Sequence, residues 1–154
     1  MKLLRSEAVA DLDTLFTALH HTAHVYEESV AIVPDGSVRD SLDRLRAQRL
    51  SSVDKVAEEI RRLDDAPSMP DPDKETLNSG IAWIKRKLEG DEVQAVIAHC
   101  REEDQSLLLL LDQLRSRDYA EQFEALYAEL VRTVQDAQNQ LSSLKSTKKM
   151  PSDP

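Results

Sequence analysis

Apolar residues recur every three or four positions along most of the chain, which is the spacing of one face of an α-helix. This pattern predicts five helices, over about residues 6–32, 37–65, 73–89, 91–115 and 118–144. Pro34-Asp35-Gly36 is expected to end the first helix, and Ser37 is expected to cap the second. The short link between the last two helices requires them to run antiparallel.

One connection is rich in proline. Residues 66–72, Ala-Pro-Ser-Met-Pro-Asp-Pro, are long enough to cross the end of a bundle before the short helix over 73–89 begins. The pattern therefore predicts an all-α protein, an up-down four-helix bundle with a short extra helix in the crossing segment between helices two and three. Residues 1–145 are expected to form its single domain. Residues 146–154 have nothing to bury and are expected to form a disordered tail.

Composition supports long helices and narrows the class of partner. Only 3 of the 154 residues are glycine and 4% are aromatic, whereas 32% are charged. A formal net charge of −9 argues against non-specific nucleic-acid binding, which needs clustered cations. The lone Cys100 excludes an internal disulfide, and the longest apolar run, 107–111, is far too short to span a bilayer. We therefore expect a cytoplasmic protein that binds neither nucleic acid nor membranes.

Several short motifs resemble a known family. They are Leu12-Asp13-Thr14-Leu15, Tyr26, Arg49, Ile60-Arg61-Arg62-Leu63, Trp83 and Glu103. Together with the order of the helices, they resemble a bacterial ferritin-like four-helix-bundle domain of unknown function, whose members in Proteobacteria are stress-associated or uncharacterised. The resemblance covers about residues 6–144 and implies a ferritin-like fold. The chain departs from the family at Lys55 and Leu110, where the family tends to have Glu and Tyr.

The ligands of a di-iron centre are missing from this pattern. Such a centre takes a Glu-x-x-His step from each of two helices and one Glu from each of the others. No histidine of this chain has Glu three residues before it, because those positions hold Thr17, Ala18, His21 and Val96. We therefore expect no intact di-iron centre and no cofactor. The leading hypothesis is a non-enzymatic, stress-associated scaffold or interaction protein.

Arg49 is the sharpest polar anomaly, since it lies on the inward side of helix two between Leu45 and Val53. A buried guanidinium is costly without a partner. Glu103 and Asp104 flank the inward stripe of helix three, and one of them is the expected partner. A polar active-site layer is the functional alternative. The favoured interpretation is a structural ion pair that fixes the register of the helices.

A metal site is the alternative function. His20, His24 and Glu27 share one flank of helix one, and imidazoles at i and i+4 can chelate one divalent ion. With Glu103 and Asp104 they would form an atypical carboxylate and histidine site for iron or zinc, in a metal-binding protein or oxidoreductase. The favoured interpretation is a solvated flank, because no second helix supplies a matching histidine.

The remaining chemical side chains are expected to take no part in a site. His21 points outward from helix one and is expected to be a poor ligand, and His99 is expected at the surface. Cys100 lies in the inward stripe of helix three and is expected to be a buried, inert residue. Tyr26 and Tyr127 lie on inward faces, where core packing explains them.

One feature favours an interaction role. Residues 107–111 make helix three apolar nearly all round, so Leu109 and Leu110 lie off the face that the bundle covers. Trp83 likewise lies off the apolar stripe of the short helix. Either the crossing segment or a second subunit must cover these side chains. We expect a homo-oligomer, most simply a dimer, with Trp83, Leu109 and Leu110 at the interface.

Overall fold

The computed structural model describes residues 2–63, 65–67 and 92–144, with side chains from residue 7 and from residue 93 onward in the outer ranges. Regular structure within these ranges is helical throughout. Helix α1 spans Lys2–Ile32, α2 Gly36–Arg62, α3 Glu92–Arg115 and α4 Glu124–Leu144, and a 3₁₀ turn over Ala120–Phe123 precedes α4. The prediction of an all-α protein with four main helices is confirmed. The short helix predicted over 73–89, with Trp83, and the tail over 146–154 lie outside the described residues.

The directions of the helices follow from their links and from contacts between them. Short links join α1 to α2 and α3 to α4, so each of these pairs is antiparallel. Asp11 near the start of α1 accepts from Arg117 just after α3, at 3.1 Å, whereas Tyr26 further along α1 reaches Asp104, earlier on α3. Helices α1 and α3 are therefore antiparallel. It follows that α2 and α3 run in the same direction, so the predicted up-down order does not hold between these two helices.

The four helices lie at the corners of a square in the order α1, α2, α4, α3. Helix α1 packs most extensively against α2, and α4 contacts α3 far more than it contacts α2. The apolar core falls into two clusters along the bundle. The first, which we call the lower cluster, includes Leu12, Ile60, Leu111 and Tyr127. The second, the upper cluster, includes Val25, Leu42, Val96, Cys100 and Leu141. Within the described ranges, no helix combines the length and the apolar composition needed to cross a membrane.

Asp35 caps the start of α2, which corrects the prediction that Ser37 would do so. The backbone of Asp35 is extended, with φ −69° and ψ 117°, as is typical of a residue just before a helix. Its Oδ1 atom accepts hydrogen bonds from the backbone N–H groups of Ser37 at 2.9 Å and Val38 at 3.1 Å. Pro34 and Gly36 place Asp35 directly before the helix, so Ser37 falls inside the first turn. The carboxylate also complements the positive end of the helix dipole.

Replacing Asp35 with Ala is expected to destabilise the protein by about 1 kcal/mol, because two backbone donors lose their acceptor. Ser37→Ala is the matched control, since it removes a neighbouring polar side chain that caps nothing, and its effect should be much smaller. Urea unfolding followed by circular dichroism measures both. An equal loss in the two variants would contradict the assignment of the cap.

Candidate functional site

A buried polar cluster lies between the lower and upper apolar clusters. It consists of Thr22 and Tyr26 on α1, Arg49 on α2 and Asp104 on α3, and we call it the central cluster. Arg49 is only 1% exposed and Asp104 is 0% exposed, although both side chains carry charge. Charged groups are rarely buried so completely unless they are paired. The central cluster is therefore a candidate for either a catalytic site or a structural ion pair.

The buried carboxylate of Asp104 accepts several hydrogen bonds within the central cluster. Arg49 Nη1 donates to Asp104 Oδ1 at 2.7 Å, and Nη2 donates to Oδ2 at 3.0 Å. The Tyr26 hydroxyl donates to the same Oδ2 at 2.5 Å, and Arg49 Nη1 also donates to Thr22 Oγ1 at 2.8 Å. The Arg49 guanidinium carbon lies 5.4 Å from the centre of the Tyr26 ring. Both oxygens of Asp104 are thus occupied, and three helices meet in one contact.

The electrostatics of the central cluster favour a fixed ion pair over proton transfer. Burial alone would lower the pKa of Arg49, but the charge of Asp104 and its hydrogen bonds raise it above the usual value. Burial, followed by the negative charge of Asp104, raises the pKa of Tyr26 well above its usual value. Arg49 therefore stays charged and Tyr26 stays a neutral donor around neutral pH. General acid or base catalysis works best with a pKa near the working pH, and neither side chain has one.

Glu103 is not the partner of Arg49, although the sequence left both acids open. Its Oε1 atom instead accepts a hydrogen bond from His21 Nε2 at 3.0 Å, across the contact between α1 and α3. Its Oε2 atom lies 3.8 Å from His99 Nε2, one turn earlier on α3. The hydrogen bond from His21 is the main cause that lowers the pKa of Glu103. His21 therefore faces α3, which corrects the prediction that it points outward, and His99 is half-buried beside Glu103.

The other residues of the predicted metal set lie elsewhere on α1. His24 approaches the carboxylates of Glu27 at 3.4 Å and Glu28 at 3.7 Å, both on its own helix. The His20 ring packs near the Phe16 ring, with 6.2 Å between their centres. The structure thus does not bring the predicted set together. His20, His24 and Glu27 lie along α1, Glu103 contacts His21, and Asp104 belongs to the central cluster. Over the residues that the structure describes, no three His, Cys, Asp or Glu side chains already surround a point that could hold a metal ion.

Cys100 is fully buried in the upper cluster, as predicted. Its Sγ atom lies 3.4 Å from the Ser29 hydroxyl oxygen. Burial is the main cause that raises the pKa of the thiol to about 12. The thiolate is the reactive form of cysteine, so Cys100 is inert around neutral pH.

The residues predicted at an interface differ in their exposure. Leu109 is 63% exposed, and among the described residues it is the one large apolar side chain on the surface. Leu110 is partly buried against the lower cluster, so the chain already covers part of it. Trp83 lies outside the described residues. The described part of the chain thus offers one clear apolar contact residue.

The contact between α2 and α4 is the most open side of the square, and we call it the α2–α4 seam. One hollow of about 270 Å³ is lined by Gln48, Ser51, Ser52, Lys55, Thr133, Asp136 and Gln140. A second hollow of about 350 Å³ is lined largely by acidic and basic residues from the other end of the seam. Lys55 and Glu129 form an ion pair across the seam. Both hollows are open to solvent, and the first is mainly polar.

Comparisons of the chain with protein families, with curated proteins and with solved structures found no match to any of them. The functional argument therefore rests on the side chains described above.

Arg49→Ala is expected to cost about 3–5 kcal/mol of stability, because it leaves the Asp104 carboxylate buried without its partner. Arg49→Met keeps most of the volume and should be milder, and removing both charges in Arg49→Met with Asp104→Leu should recover more. The matched control is Arg46→Ala, which breaks a partly exposed ion pair with Asp43 on the same helix and should cost at most about 1 kcal/mol.

Guanidinium chloride unfolding of the four variants measures these differences. An Arg49→Ala midpoint equal to that of the parent would show that the buried pair does not stabilise the fold.

Proposed function

We propose that the chain is a ferritin-like helical bundle without a di-iron centre, acting as a non-enzymatic scaffold or interaction protein. One observation carries this proposal: a guanidinium fills the middle of the bundle, where Arg49 is paired with Asp104 at 2.7 and 3.0 Å. Ferritin-like bundles place their metal ligands in the same region, on the inward faces of facing helices. The shared direction of α2 and α3 agrees with such a bundle, whose connectivity includes one long crossing connection.

The charge of Arg49 opposes metal binding at the centre. A di-iron centre needs several carboxylates that are free to bind cations. Asp104 already accepts from Arg49 and Tyr26 at both oxygens. Binding iron there would break this pairing and leave the guanidinium buried without a counter-charge, which is strongly unfavourable. The central cluster therefore supports a structural role, and we place the function of the protein on its outer surface.

The association with stress rests on the motif resemblance alone. The interaction role rests on exposed apolar surface, for which Leu109 is the described residue. Burying one leucine gains about 1.5–3 kcal/mol, whereas a dimer with micromolar affinity needs about 8 kcal/mol. Leu109 can therefore only contribute to self-association. Trp83 and the exposed part of Leu110 must supply much of the remainder in the dimer that we propose.

The protein is expected to bind no stoichiometric iron at its centre and to show no ferroxidase activity. The test uses protein purified without an affinity tag, supplied with Fe²⁺ under nitrogen, desalted and then exposed to oxygen. Iron content should stay well below two atoms per chain, and the rate of Fe²⁺ oxidation should match that of a buffer blank. Two iron atoms per chain would contradict the proposal. Arg49→Met, which removes the positive charge, tests whether the guanidinium is what excludes iron.

Self-association through the apolar surface is tested by light scattering after size exclusion, at several protein concentrations. The parent should form a dimer, and Leu109→Lys combined with Trp83→Lys should yield a monomer. Gln105→Lys adds the same charge at an exposed position on α3 and is the matched control. Because the contact is apolar, changing the salt concentration should affect the dimer little. A parent that is monomeric at high micromolar concentration would contradict this part of the proposal.

A further inference from the structure

Glu103 lies between two imidazole groups at the contact of α1 with α3. Its two carboxylate oxygens face different histidines, with His21 Nε2 at 3.0 Å from Oε1 and His99 Nε2 at 3.8 Å from Oε2. We call these three residues the His–Glu bridge. The side chains of His21, His99 and Glu103 are 24%, 19% and 26% exposed, so solvent reaches all three. None of them takes part in the central cluster.

The spacing in the His–Glu bridge is close to that of ligands around a divalent transition metal. Zinc ligands of this kind lie about 2.0–2.2 Å from the ion, so in a tetrahedral site neighbouring ligand atoms are about 3.3 Å apart. The two nitrogen–oxygen distances of the bridge, 3.0 and 3.8 Å, are close to that value, and they run to different oxygens of Glu103. The three groups do not yet surround a common point. Metal binding at the bridge therefore requires these side chains to rotate.

We propose that the His–Glu bridge binds one divalent transition metal, with Zn²⁺ as the best-fitting ion. His21 and His99 would bind through Nε2 and Glu103 through one carboxylate oxygen, and water would complete a tetrahedral site. The ion takes the place of the proton that now joins His21 to Glu103. That proton moves to Nδ1 of the imidazole or to solvent, since a histidine ligand binds through a neutral ring nitrogen.

The backbone brings the ligands of the His–Glu bridge together from two helices. His99 and Glu103 are four residues apart on α3, which places them on one face, and His21 comes from a second helix packed against it. His24, by contrast, approaches two acids of its own helix, Glu27 and Glu28. Binding at the bridge would tie α1 to α3 and therefore stabilise the folded state.

This inference stands apart from the proposed function. A scaffold without a di-iron centre needs no zinc, and the iron and oxidation measurements above concern the centre of the bundle. Loss of zinc binding would leave that proposal intact. Conversely, a ferroxidase activity that persists in His21→Ala would overturn the proposed function without bearing on the His–Glu bridge.

The test is calorimetric titration of Zn²⁺ into the full chain, purified without a tag and treated with a chelator that is then removed. We expect one ion per chain. His21→Ala, His99→Ala and Glu103→Gln should each weaken binding by at least about tenfold, as loss of a supporting group alone does in known sites. His24→Ala is the matched control and should bind as the parent does. Zinc should also raise the Tm of the parent and of His24→Ala, but not that of the three bridge variants.

Several outcomes would overturn the assignment. These are an absence of binding to the folded parent, bridge variants that bind like the parent, and a loss of binding in His24→Ala but not in His21→Ala. Circular dichroism identifies any variant that fails to fold. In that event the parent is titrated with Co²⁺, whose visible spectrum must show tetrahedral nitrogen and oxygen ligation, and a purely octahedral spectrum would refute the site.

Discussion

The forked contact between Arg49 and Asp104 is the constraint on which the arrangement of α1, α2 and α3 depends. Its two hydrogen bonds hold the guanidinium and the carboxylate edge to edge in roughly one plane, and Thr22 and Tyr26 contact both groups from α1. A one-residue shift in the register of α2 would move Arg49 by about 1.5 Å along the bundle and rotate it by about 100° about the helix axis. The carboxylate would then be buried without a counter-charge. We therefore expect the polar contact to set the register of the helices around the two apolar clusters.

The same contact decides what kind of protein this bundle can be. A cluster that holds its own counter-charge and a neutral tyrosine has no vacant ligand and no proton to exchange near neutral pH. In the function that we propose, recognition takes place on the outer faces, where the polar features differ from one side of the square to another. The His–Glu bridge lies where α1 meets α3, Leu109 projects from α3, and a polar groove follows α2 and α4.

The periodicity of apolar residues predicted the four main helices well, because each buries a continuous stripe. It also placed Arg49 inside the bundle. Periodicity could not choose between Glu103 and Asp104, since adjacent residues flank the same stripe and only packing against α1 and α2 separates them. It grouped His20 and His24 as a possible metal site and predicted that His21 points outward. Periodicity cannot show which side of α1 faces α3, because that depends on how the helices pack. The cap of α2 was misplaced by two residues, since Asp35 and Ser37 are both good capping residues.

The uneven packing around the square has a consequence for how the chain reaches its folded state. Helices α1 and α2 form one hairpin and α3 and α4 another, each built from contacts between residues near in sequence. The two hairpins meet mainly where α1 packs on α3, through pairs such as Ser29 with Cys100, 71 positions apart. Forming those pairs requires closure of a long loop, whose entropy must be lost before any contact repays it. We therefore expect the contacts between the two hairpins, rather than the formation of any helix, to limit the folding rate, and Arg49 with Asp104 lies among these contacts.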